Sequence, residues 1–69
     1  MKGGFMLKKR AVIYPKDIQL ITGRSERYGQ LVLGKIKAVF RKKPHQYVTI
    51  EEFSEFSGIP KTIIEEFIH

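Results

Sequence analysis

Residues 48–58 read VTIEEFSEFSG, a short helix whose start and stop are both written into the chain. Thr49 precedes Glu52 by three positions. That is the spacing of a capping box, in which each side chain serves a free backbone N–H beside the other. Val48 lies just before the cap and Phe53 just inside the helix, so the two can close over the first turn as a hydrophobic staple. Gly58 supplies the left-handed residue on which helices commonly end.

The same grammar recurs upstream. Shifted by 35 positions, IYPKDIQLITGRSERYGQLVL (13–33) lies on VTIEEFSEFSGIPKTIIEEFI (48–68). Ile18 then meets Phe53, Thr22 meets Ser57, Gly23 meets Gly58, Tyr28 meets Ile63 and Leu33 meets Ile68. Pro15 takes a first helical position, where its missing N–H costs nothing. Asp17 complements the positive helix start, and Ile13 with Ile18 repeats the staple.

Each half therefore predicts a helix, a glycine turn and a second helix, with helices over 15–22, 25–42, 49–57 and 60–68. Ser25 caps the second of these and Pro44 stops it. Eighteen residues would span about 27 Å. On that helix Tyr28, Gly29, Val32, Ile36, Val39 and Phe40 fall on one face, and Arg27, Gln30, Gly34, Lys37 and Arg41 on the other. RAVIY (10–14) and HQYVTI (45–50) carry β-branched and aromatic residues; they pair as a minimal two-stranded ladder or serve as extended lead-ins. The expected fold is all-α: four helices as two tandem helix-turn-helix-like units (13–43 and 47–69) in one domain over 10–69, with 1–9 a flexible tail.

A chain of 69 residues without cysteine has no disulfide to lean on. A domain this small buries only about 60% of the surface its unfolded chain exposes. Self-association as a two-fold homodimer is the expected remedy. His45 and His69 are far apart, so no metal site and no cofactor is expected. No apolar run approaches the roughly 20 residues of a membrane span, and no secretory signal is read at the start; the expectation is a cytoplasmic protein without a membrane role.

The net charge of +6 is unevenly spread. Residues 1–43 hold twelve of the thirteen Lys and Arg against Asp17 and Glu26 alone, while residues 44–69 hold Lys61 against five glutamates. One half is thus suited to a polyanion. A helix following a glycine turn is a shape that reads duplex DNA, with its first residues near base edges. Arg24, Ser25, Arg27 and Gln30 occupy that tip, where Arg suits guanine and Gln suits adenine. Lys35, Lys37, Arg41, Lys42 and Lys43 follow as candidate phosphate contacts. Charges at 41–43 also suit a helix C-terminus on dipole grounds alone.

YVTIEEFSEFSGIPKTII resembles the opening of excisionase-type and MerR-like helix-turn-helix units. The segment from Ile13 onward is similar to short, uncharacterised bacterial proteins with YPKDIQ-ITG-SER followed by HQYVTIEEF. The resemblance implies a small DNA-binding regulator or mobile-element accessory protein. Two departures locate the contact: Glu65 and Glu66 stand where readers place polar or basic groups, and Arg24 stands where an apolar residue is usual. DNA contact is therefore expected from the first unit, and a packing or partner surface of Phe56, Ile63 and Phe67 from the second. The alternative is a protein–protein interaction or dimerisation module with no nucleic-acid role. No carboxylate pair, Ser/His/Asp set or phosphate-binding glycine loop suggests an enzyme or a small-molecule substrate.

Overall fold

The computed structural model describes residues 11–68; the tail read over 1–9 lies outside them. Its elements are β1 (Val12–Ile13), α1 (Pro15–Thr22), α2 (Glu26–Val39), β2 (Val48–Thr49), α3 (Ile50–Ser57) and α4 (Lys61–Glu66). The fold is predominantly helical, with one antiparallel two-stranded ladder.

The two halves repeat in hydrogen bonding as well as in sequence. The Tyr14 N–H donates to Asp17 Oδ2 at 2.8 Å, and the Thr49 N–H to Glu52 Oε1 at 2.9 Å. The Gly23 N–H closes α1 on the Gln19 carbonyl at 2.8 Å, and the Gly58 N–H closes α3 on the Ser54 carbonyl at 2.9 Å. Both glycines are left-handed, with φ of 74° and 79°, a region an L side chain enters at a steric cost. Past each glycine, the Arg24 N–H donates to Thr22 Oγ1 and the Ile59 N–H to Ser57 Oγ. In the ladder Ile13 pairs with Val48 and Val12 with Thr49. Ile13 and Val48 are equivalent in the repeat, so the ladder joins the halves at matching positions.

The core includes both residues of that pair. Ile13, Ile18, Val32, Ile36, Val48, Ile50, Phe53, Ile64 and Ile68 are buried, with Ile21, Tyr28, Leu33, Phe40 and Ile59 packed around them. Both staple pairs, Ile13 with Ile18 and Val48 with Phe53, belong to it. Asp17 is buried beside them, its carboxylate held by the Tyr14 N–H. Tyr14 and Tyr47 flank the ladder edge to face, ring centres 6.1 Å apart. The halves differ at the pair Gly29 and Ile64. Gly29 lets α2 approach the backbone of α1, whereas Ile64 of α4 fills the same place with a fully buried side chain.

Two expectations for α2 require correction. The helix ends at Val39 rather than near Lys42, so it spans 14 residues, about 21 Å. Phe40 turns onto the core, and a Schellman motif follows: the Lys42 N–H donates to the Lys37 carbonyl at 2.8 Å and the Arg41 N–H to the Ala38 carbonyl at 3.3 Å. Arg41 sits at the left-handed position with φ 57°, a conformation that costs an L residue about 1–2 kcal/mol. Val39 is 62% exposed rather than buried. The buried stripe is centred on Gly29, Val32 and Ile36, and Val39 falls at its edge.

Candidate nucleic-acid interface

Ser25 is the N-cap of α2, and its Oγ accepts the Tyr28 N–H at 3.1 Å. The cap sets the direction in which the first turn of α2 leaves the Gly23 turn. Arg24 lies over the Tyr28 ring, Cζ 4.3 Å from the ring centre, a cation–π contact that holds the guanidinium at the rim of the turn. Arg27, Gln30, Leu31, Gly34, Lys35 and Ala38 are exposed along the outer side of α2. Glu26 is the acid of that first turn.

The nine sequence-predicted DNA-binding residues separate into three groups. Arg24, Arg27, Gln30 and Lys35, with Ser25, form the tip and outer side of α2, exposed and, for the four cationic or amide side chains, with no acidic partner among the described residues. Lys37 and Lys42 have partners within the chain. Lys37 Nζ donates to the Pro44 carbonyl at 2.7 Å, and Lys42 Nζ pairs with Glu52 Oε2 at 3.0 Å, the two side chains only 17% and 22% exposed. Arg41 and Lys43 project from the turn beyond α2, exposed. The outward face is not purely basic: Leu31 is 62% exposed on it, beside Gly34 and Ala38. Sequence reasoning placed Gly34 on this face but missed Leu31 and Ala38, because it counted charges and left the apolar residues between them unplaced.

Two glutamates of the second unit are paired. Lys61 Nζ meets Glu51 Oε2 at 2.7 Å, and this hydrogen bond holds the Glu51 carboxyl below its ordinary value. Burial pushes the Glu52 carboxyl up, but the Thr49 N–H and Lys42 outweigh it and leave Glu52 below its ordinary value as well. Between the units lies a groove of about 270 Å³ lined by Ile18, Thr22, Tyr28, Val32, Phe53 and Phe56, with Ser57 and Ile59. Phe56, Ile63 and Phe67 are 39%, 42% and 38% exposed.

Among the described residues no cluster of three potential ligands could hold a metal ion, and no helix is long and apolar enough to cross a membrane. Compared with known proteins, the chain matches no family model, no curated protein and no solved structure.

Proposed function

We propose that the protein binds duplex DNA through its first helical pair, with the N-terminal turn of α2 entering the major groove. The observation that carries this reading is the split between spent and unspent cations. Glu52 and Glu51 of the second unit engage Lys42 and Lys61, while Arg24, just before the cap of α2, and Arg27 and Lys35 on that helix stay exposed. Arg24 and Arg27 suit guanine edges and Gln30 an adenine edge, and Leu31 offers apolar contact to a thymine methyl. Lys35 suits a phosphate. Gly34, with open space around it, lets the helix backbone lie close to the groove wall. The regulatory or mobile-element role implied by resemblance stays within this proposal.

The test is fluorescence anisotropy with random-sequence duplex over a salt series. Binding should weaken with a log–log slope of about 0.9 per phosphate neutralised. No binding at low salt would end the reading.

A second reading concerns self-association. Phe56, Ile63 and Phe67 are large apolar side chains left more than one-third exposed in a small domain, which suits a contact between copies of the second unit. Sedimentation should then show dimers whose population falls in Phe67→Ser; a monomer at high micromolar concentration removes this reading without touching the first.

A further inference from the structure

We propose that Arg41 occupies a glycine position because its charge is used: the turn closing α2 is a rigid bracket that holds Arg41 and Lys43 outward against the phosphate backbone flanking the groove. This rests on the DNA reading above.

Three helix ends in the described chain adopt a left-handed residue, and two of them, Gly23 and Gly58, use glycine. Arg41 is the one non-glycine residue with positive φ among the described residues. Glycine would satisfy the same Schellman bonds without steric cost. A general need for positive charge near the helix end does not explain the choice, because Lys37 in the last turn of α2 already supplies it. Strain retained where a strain-free residue would serve points to a use for the side chain.

The turn is also built. Lys37 Nζ ties the Pro44 carbonyl at 2.7 Å. The Lys43 N–H donates to Gln46 Oε1 at 2.7 Å, and the Gln46 N–H returns to the Lys43 carbonyl at 3.0 Å. Lys42 turns inward to Glu52. With 42 pinned inward, its neighbours Arg41 and Lys43 are left exposed. A helix C-terminus repels anions, but here the Lys37 and Ala38 carbonyls are taken up by the Lys42 and Arg41 N–H groups, so the two cations face solvent over capped carbonyls.

The position is right for a backbone contact. α2 is about 21 Å long, and the major groove is about 12 Å wide. A helix that enters with its N-terminal turn therefore carries its C-terminal end past the groove edge to the sugar–phosphate chain. A contact there adds affinity without sequence preference.

The experiment compares Arg41→Gly, Arg41→Asn and Arg41→Lys with the unaltered chain, by thermal melting and by binding to random-sequence duplex over a salt series. Arg41→Gly should melt about 2–5 °C higher yet bind about 3–10-fold more weakly, with the salt slope shallower by about one. Arg41→Asn, neutral and tolerant of the left-handed region, should lose the same affinity, and Arg41→Lys should keep both affinity and slope. A lower melting point in Arg41→Gly overturns the strain premise, and unchanged affinity and slope in Arg41→Gly overturn the inference. So does an equal loss in Arg41→Lys. If these occur while Arg27→Ala weakens binding, the DNA reading stands and the bracket alone falls; if the unaltered chain binds no duplex, both fall.

Discussion

Gly29 and Pro15 meet backbone to backbone. A Cβ placed on Gly29 would press on the Pro15 carbonyl oxygen and stand 3.0 Å from the Pro15 Cα. The first helical pair closes through this contact. The atoms in the way are backbone atoms at the start of α1, fixed by the Ile13–Val48 pairing just before them, so they cannot swing aside as a side chain would.

Gly29→Ala should therefore destabilise the protein by about 1–2 kcal/mol. Overpacking costs about 1–3 kcal/mol, and the better helix propensity of alanine returns up to about 1 kcal/mol. Urea unfolding checks it; a variant as stable as the parent would mean that α1 and α2 separate freely, against the rigid tip proposed for DNA contact.

Gly34, five residues along the same helix, should behave oppositely. It is exposed in mid-helix, and a Cβ placed on it would meet nothing within 4 Å. Glycine there costs about 1 kcal/mol against alanine. Gly34→Ala should stabilise the protein by up to about that amount in urea unfolding. If Gly34 serves close approach to a groove, the same variant should bind duplex less tightly, so that stability and affinity move in opposite directions.

Glu52 sets an acid-side dependence. Burial raises its carboxyl, but the Thr49 N–H and Lys42 more than offset this and leave it below the ordinary value of 4.5. A carboxyl depressed on folding contributes stability that is fully present above its unfolded value and is lost as pH falls through the folded one. Glu52→Gln should thus lower the melting temperature at pH 7 and matter progressively less as pH drops below about 4.5. Melting curves at pH 7 and pH 3 test this; a deficit of the same size at both would show that shape, and not charge, is what Glu52 contributes.

Lys42 and Arg27 should part company. Lys42→Ala strips a partly buried carboxylate of its partner and should cost about 1 kcal/mol of stability with the salt slope of DNA binding unchanged. Arg27→Ala should leave stability within about 0.5 kcal/mol and cost about 1–3 kcal/mol of binding to a preferred site. Paired unfolding and anisotropy measurements decide it, and a shallower slope in Lys42→Ala would return Lys42 to the interface.

Helix starts and stops were legible in the sequence because they are local. The Thr49–Glu52 box, the Ser25 cap, Pro15, Gly23 and Gly58 each act within about four residues, so composition at those sites sets where α1 and α3 begin and end and where α2 begins. The 35-residue repeat, read from apolar spacing, likewise foretold two matching halves. What tertiary structure decided involves partners far apart in the chain. No glycine or cap residue marks Phe40 as the end of α2: the side chain turns onto a core built largely from other elements, and Lys42 reaches an acid ten positions on. Pairing of Ile13 with Val48 chose the ladder over two separate lead-ins. The same long-range contacts sorted the basic residues. A charge run looks uniform in sequence, and only the position of the acidic second unit determines which lysines it neutralises and which cations it leaves facing solvent.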